Sequence, residues 1–465
     1  MHTPQSGGEM SYNFLPYEQD QLLLLPPSLS EWVEEDSLAR FVSDVVDQLD
    51  TAGRLAPIYG KYRSDGWGRA SYHPCMMVKV LIYANCVGVR SARKIAAALE
   101  QDISLRYLAA NQRPDFRTIS DFRKEHLKAL ELLFPDVLEL CKEAGLVKLG
   151  RVALDGRRVA GNASIERNRT REALVREVKR MLEEAERIDA EEDERYGPDR
   201  RGDELPEGLR TRAERLQRLR EAQARLDEQA EEARSKQAER IRDREEDERR
   251  MGRKKRGPKP RAPEEMVNPD KQANTTDPDS RIMKTRRGWV QGYNGQAMVD
   301  CESQVIVAHA LTQDEVDFEQ LGPMLECCEK QAGQRPEQCV ADAGYWSDAN
   351  AALEDEVTEL FIATTKDSKQ RKALREKGPP KGRIPKDISP RERMERKLRT
   401  KRGQEAYRQR CSSVEPVFGQ MEGRGLNRFL LRGHEKVQGE WSLWCLTHDL
   451  LKLWRSGWLP AAQRA

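Results

Sequence analysis

From Ser30 to about Lys148 the apolar positions recur at helical spacing. Ser30 is placed to cap a helix through Glu31 to Asp36, and Leu38 to Ala52 forms the next. Pro74 precedes a long apolar stretch, Met76 to Val89. Ser91 opens a short helix to Leu99, and a turn at Gln101-Asp102 separates it from Ile103 to Ala109. Thr118 begins a helix through Phe122, Leu127, Leu130 and Leu133, which Pro135 ends or kinks. This predicts an all-α module of about 120 residues with its own core. At Arg151 the pattern changes: Val152-Ala153-Leu154-Asp155 is a short apolar run before Gly156 and reads as a buried strand. Apolar residues then recur in heptad fashion at Leu174, Val178, Met181, Ala185 and Ile188, and again at Leu216, Leu219, Leu226, Ala230 and Ala233. A Gly/Pro-rich break at 197–208 separates the two stretches, so residues 166–250 read as an antiparallel helical hairpin. Strand patterning resumes after Gly288, with Gly295 to Asp300 and Val305 to Leu311 forming a hairpin. A helix near Phe318 to Gln331 follows, then the strand Cys339-Val340-Ala341-Asp342 and the strand Leu360 to Thr364. Residues 366–402 read as a basic linker. A helix from Gln404 to Met421 carries Tyr407, Arg410 and Glu415, with Pro416 inside it, and Trp441 to Trp454 forms the last.

The expected organisation is therefore an irregular arm (1–27), an all-α domain (28–148) and a first piece of an α/β core (149–165). A charged helical-hairpin insert (166–250), a basic flexible linker (251–285) and the rest of the core (286–455) follow.

Composition supports an insert of this kind. The chain of 465 residues is 37% hydrophobic and 34% charged, against roughly 45–50% and about 25% in globular proteins. The net charge is only +2, but the charges are blocked, so local basic tracts can meet phosphate while acidic helices balance the sum. Nine cysteines with no C-x-x-C pair argue against a zinc site or a disulfide framework and for free thiols in a reducing cytoplasm. The Leu22 to Leu25 run is too short for a signal or a membrane span. No phosphate-binding G-x-x-x-x-G-K-[ST] loop is present, which excludes P-loop nucleotide hydrolysis.

Asp155 and Asp342 each close an apolar strand in this reading. Adjacent parallel strands would present both carboxylates at their carboxyl ends, where α/β sheets place ligands. Glu415 on a later helix would complete a trio. Three close carboxylates repel one another unless cations lie between them, and hard oxygen donors suit Mg²⁺ or Mn²⁺. Two such ions support phosphoryl transfer without a covalent enzyme intermediate. An Asp after a strand is equally an ordinary turn residue, and Asp-Gly is a routine turn signal. Periodicity by itself leaves both open.

At these residues the chain resembles bacterial insertion-sequence transposases of the DDE type. Val152-Ala-Leu-Asp155-Gly resembles their first-Asp strand, and Val340-Ala-Asp342-Ala-Gly344-Tyr345 their second. Asn274-Thr-Thr-Asp277-Pro-Asp279-Ser-Arg281, followed by Gly292-Tyr293-Asn294-Gly295-Gln296, resembles a block distinctive of one subgroup. Tyr407-Arg-Gln-Arg410-Cys-Ser-Ser-Val-Glu415 resembles the Tyr-Arg-Glu-Lys signature. Tyr72-His73-Pro74 and Phe116-Arg117-Thr118-Ile119-Ser120-Asp121-Phe122 resemble the helical domain that opens these proteins. The resemblance implies a ribonuclease-H-like core and metal-dependent DNA cleavage and strand transfer. It makes Asp155, Asp342 and Glu415 both catalytic and metal-binding, with Mg²⁺ or Mn²⁺, two ions, as cofactor. It gives Tyr407 and Arg410 contacts to phosphate or a flipped base, double-stranded DNA as partner, and a homodimer or larger synaptic assembly. Glu422 stands where the signature has Lys, with Arg424 nearby as a replacement phosphate contact, and Arg410 lies one residue further from Glu415 than is usual.

Ser91 to Ala109 has helix-turn-helix proportions, with Arg93, Lys94 and Arg106 available to DNA. Lys254, Lys255 and Arg256 in the basic tract are candidates for backbone or minor-groove contact. Asp300 and Asp348 are spare acids. Two other functions remain open: a metal-dependent nuclease that cuts without joining, and a catalytically impaired DNA-binding relative, the latter favoured by Glu422. The six histidines include no His-apolar-His pair, which argues against a covalent single-strand transposase.

Overall fold

A computed structural model describes residues 28–62, 71–196, 207–254, 259–266, 271–285, 288–366 and 388–460, with scattered positions between 367 and 387. The opening helices are α1 (Leu38–Thr51), α2 (Pro74–Cys86), α3 (Ala92–Gln101), α4 (Ile103–Leu108), α5 (Phe116–Glu125) and α6 (Leu133–Glu143). Most of these starts carry side-chain caps. The Ser37, Ser91, Asp102 and Asp115 side chains accept the free backbone N–H groups of the first turns, which satisfies donors a helix cannot pair internally. Two expectations are corrected here. The segment at Ser30 is a single 3-10 turn, Leu29–Trp32, capped by Ser28. The long helix breaks at His126 rather than at Pro135, because Pro135 falls in the first turn of α6, where its missing N–H costs nothing.

The sheet comprises β1 (Arg151–Ala160), β4 (Arg281–Thr285), β5 (Gly288–Asp300), β6 (Ile306–Thr312), β7 (Gln338–Ala341) and β8 (Glu359–Ile362), numbered after the small strands β2 (Asn168–Thr170) and β3 (Gln272–Asn274). The order is β4-β5-β1-β7-β8, with β6 also paired to β5. β1 runs parallel to β7 and β7 to β8, while β5 is antiparallel to β1, β4 and β6. The carboxyl ends of β1, β6, β7 and β8 therefore point the same way. The helices α9 (Leu321–Ala332), α10 (Pro390–Leu398), α11 (Lys401–Gly423) and α12 (His434–Arg455) complete the core, after the insert helices α7 (Arg171–Tyr196) and α8 (Glu207–Met251). Within 366–402, read as linker, Ser389 forms a capping box with Glu392 and starts α10. Its buried Met394 and Leu398 are two apolar residues in a basic run.

One apolar core runs without a break from Val33 to Leu453, so the opening helices share it with the sheet instead of closing over a core of their own. α12 is the shared wall, burying Trp441, Trp444 and Leu450. The insert has a separate small core of Leu174, Met181, Leu219, Ala222 and Leu226, with Val178 and Leu216 against it. Of the expected heptad positions it takes in Leu174, Val178, Met181, Leu216, Leu219 and Leu226, while Ala230 and Ala233 are only partly buried and lie outside it. The hairpin starts at Arg171 rather than 166, because 168–170 pair as β2 with β3. β3 and β4 also correct the expected 251–285 linker, whose second half is ordered sheet.

The Asn274–Ser280 block is a buried polar clamp. Asn274 Oδ1 accepts the N–H groups of Thr276 and Asp277. Buried Asp277 accepts from the Tyr293 hydroxyl at 2.9 Å and from the Gly433 N–H at 3.1 Å. A buried hydrogen bond to a charged acceptor contributes about 1.5–3 kcal/mol. Tyr293→Phe is therefore expected to destabilise the protein by about 2 kcal/mol, measured by denaturant unfolding, with little effect on metal binding.

Candidate active site

β1 does not end at Asp155. It continues to Ala160 because β5 pairs with it as far as Gly292, whereas β7 stops at Ala341 opposite Leu154. Asp155 is thus the residue at which β1 loses its neighbour on one side. One further step of the parallel register sets Asp342 beside it. Asp342 leaves the sheet by capping the turn Ala343–Tyr345, its Oδ1 accepting the Gly344 N–H at 2.8 Å.

Glu415 rides on α11, which Thr400 starts by accepting the Gly403 N–H at 3.1 Å. Pro416 lies inside this helix and cannot bond to the carbonyl four residues back. That carbonyl, of Ser412, instead accepts from the Gln304 amide at 3.0 Å, so the helix runs on past Glu415. Arg410 joins the two parts of the site. Its guanidinium lies 3.2 Å from Asp155 Oδ2 and 3.9 Å from Glu415 Oε1, and its side chain is 3% exposed, against 23% for Asp155 and 47% for Glu415.

The structure buries the other signature residue as well. Tyr407 is a core residue, with Arg410 5.8 Å from its ring centre. In this state Tyr407 and Arg410 present no surface to DNA: one is held by the apolar core, the other by carboxylates. Arg424 also turns inward, stacking on Trp444 at 5.3 Å and reaching Thr447 Oγ1 at 3.4 Å. Glu422 is on the surface and pairs with Arg157 of β1. Among the DNA candidates, Arg93 and Lys94 are exposed on α3, Arg93 resting 5.2 Å from the Phe116 ring. Arg106 is committed to Asn111 Oδ1, at 2.9 and 3.1 Å. Lys254 is exposed, and Lys255 and Arg256 lie outside the described residues. Asp300 is a turn residue, its oxygens accepting the N–H groups of Glu302, Ser303 and Lys148. Asp348 sits in the first turn of a short helix.

Among the described residues no three His, Cys, Asp or Glu side chains converge as a ready ligand set. Electrostatics nevertheless mark a place short of positive charge. Burial pushes the Asp155 carboxyl up to about 7, Asp342 and Asp317 push in the same direction, and Arg410 and the Gly156 N–H oppose them. A carboxylate that stays this unfavourable beside an arginine fits a site built for a further cation. The sign of the pH dependence follows. Above about pH 4 the unfolded chain releases this proton while the folded protein keeps it until about 7, so stability falls across that window. In EDTA, the melting temperature of wild type is expected to fall by a few degrees between pH 4.5 and 7.5, and Asp155→Asn should flatten that slope.

Asp317 was not singled out by the sequence. It lies in a polar loop with Asp314, Glu315 and Glu319, and nothing in the spacing separates it from them.

Residues 27–125 match the family model described as transposase domain (DUF772), and residues 362–454 match the one described as transposase DDE domain. The two matches together cover less than half of the chain, and over those stretches it is similar to transposases of the DDE type. No curated protein and no solved structure matches it significantly. The first match contains Arg93, Lys94 and Arg106, and the second contains Tyr407, Arg410, Glu415 and Arg424. Asp155 and Asp342 lie between the two. Transposase DDE domains generally use divalent metals, which agrees with the charge deficit at Asp155. No helix among the described residues is long and apolar enough to cross a membrane.

Proposed function

We propose that this protein is a DDE-type transposase that binds double-stranded DNA at the ends of an insertion sequence and catalyses metal-dependent cleavage and strand transfer on a ribonuclease-H-like core. The observation that supports this most is the level placement of Asp155 and Asp342 on adjacent parallel strands, with Glu415 tied to Asp155 through Arg410. The strand order, with antiparallel β5 on one side of β1 and parallel β7 on the other, supports this reading.

In this reading Asp155, Asp342 and Glu415 hold Mg²⁺ or Mn²⁺, two ions. Bound there, they would supply activation of the attacking oxygen and stabilisation of the leaving one. The chain's own contribution is positioning. The β1–β7 register sets the spacing of the two aspartates, and the Gln304 bond that bridges the Pro416 gap keeps Glu415 on a continuous helix. Arg410 balances the carboxylates until cation and phosphate arrive. The helices of 28–148, with Arg93 and Lys94 outward, are the DNA-binding part, and Lys254 begins a basic tract suited to the backbone. A transposase must bring two ends together, so a homodimer is expected in the synaptic complex. The charged α7–α8 hairpin, which has its own small core, is a candidate to brace a second copy or a DNA end.

The test is incubation of the purified protein with DNA flanking its gene, in Mg²⁺ or EDTA. Cut ends and joined products in Mg²⁺ alone support the proposal. Cutting without joining favours a nuclease, and binding without cutting favours an impaired relative.

A further inference from the structure

Asp317 follows β6, whose carboxyl end lies on the same side of the sheet as those of β1 and β7. Its side chain is 11% exposed and is held in one place by three donors. Asn294 Nδ2 and Gln296 Nε2 donate to Oδ1 at 2.7 and 2.9 Å, and Arg158 donates to Oδ2 at 3.1 Å. Gln296 is itself fixed by the Tyr345 hydroxyl.

Two glycines make room for this carboxylate, each close in sequence to an active-site aspartate. A methyl group on Gly156 would meet Gln296 Nε2 and lie 2.7 Å from Asp317 Oδ1 and 2.8 Å from Asn294 Oδ1. One on Gly344 would lie 3.0 Å from Asp342 Oδ1 and 3.4 Å from Asp317 Oδ2. Asp317 therefore sits against both Asp-bearing segments, and Asp342 and Asp317 approach the same Cα. A second observation points to a missing partner. Asn294 is fully buried, yet its Oδ1, beside Gly156 in this cluster, has no hydrogen-bond partner. A buried oxygen acceptor left alone is costly, and a cation or its bound water satisfies it. Carboxylate and amide oxygens are the donors hard divalent cations take.

We propose that Asp317 is a fourth carboxylate of the cation site, joined to Asp342 and Asp155 and supported by Asn294 Oδ1. The proposal rests on the reading of Asp155 and Asp342 as metal ligands. Asn294 and Gln296 then orient this acid, while Arg158 competes with the cation for it.

The test is Mn²⁺ binding to the DNA-free protein, followed by electron paramagnetic resonance, with folding checked by circular dichroism. Asp317→Asn is expected to weaken Mn²⁺ binding by about tenfold or more. Glu315→Gln in the same loop should leave it unchanged. Arg158→Gln removes the competing cation and should tighten it several-fold. If Asp317 serves only as the partner of Arg158, Asp317→Asn and Arg158→Gln will both lose stability and neither will move Mn²⁺ affinity, which overturns the proposal. Should Asp317→Asn not fold, unchanged binding in Arg158→Gln overturns it equally. Asp155→Asn separates the two levels. If it weakens binding and Asp317→Asn does not, this inference fails alone; if neither does, the metal-site reading fails with it.

Discussion

Asp155→Ala, Asp342→Ala and Glu415→Ala are each expected to lower DNA cleavage by about 10³-fold or more while DNA binding persists, a barrier increase of roughly 4 kcal/mol. Phosphoryl transfer asks little of the protein beyond holding charge where the attacking and leaving oxygens need it, so losing one anionic donor removes most of the rate. Asp155 should show the largest loss. It sits beside Asp342, is pressed by Asp317 and is the carboxylate Arg410 touches most closely, so its removal disturbs every charge in the site. Glu415, half exposed on α11, should be the variant that retains the most binding and stability. A single-turnover cleavage assay with a parallel mobility-shift titration separates the two effects. Loss of cleavage in step with loss of binding would mean the substitution had damaged the DNA surface instead.

The second large effect concerns stability. Arg410→Ala leaves the mostly buried Asp155 carboxylate without its nearest counter-charge, and breaking such a pair costs about 3 kcal/mol. The cost should shrink as the pH falls through about 7, because Asp155 then takes up a proton and no longer needs a partner. It should also shrink when Mn²⁺ is added, since a cation can supply the charge that the guanidinium supplied. Denaturant unfolding of wild type and Arg410→Ala, each in EDTA and in Mn²⁺, measures both. An identical stability gap in the two conditions would show that Arg410 is a packing residue unconnected to the cation site.

These two expectations differ in how visible they were along the chain. The strands that carry Asp155 and Asp342 were legible because three apolar residues in a row before each Asp read as a short buried strand, and the hairpin insert because its heptads stand out against charge. Asp155 was misread as a strand end, since Asp-Gly usually marks a turn; β5 overrides that local preference by pairing on to Gly292. The resemblance gives Tyr407, Arg410 and Arg424 contacts to DNA, yet all three turn inward in the structure. Their burial is decided by α12 and β1, which lie far away in sequence. Asp317 was invisible for the same reason. Its neighbours in the chain are equally acidic, and only Asn294 and Gln296 across the sheet single it out. The helix Pro390–Leu398 was hidden inside a basic run, where two buried apolar residues are too few to set a period.

The central claim is that the aspartates on the paired strands bind the metal that drives DNA cleavage, and the most direct test exchanges the ligand atom. Asp342→Cys replaces a hard oxygen by sulfur, which Mg²⁺ accepts poorly and Mn²⁺ better. The account predicts that this variant, assayed on end DNA, is inert in Mg²⁺ and recovers part of its cleavage in Mn²⁺. Wild-type cleavage by Asp342→Cys in Mg²⁺ would contradict it and remove Asp342 from the metal site.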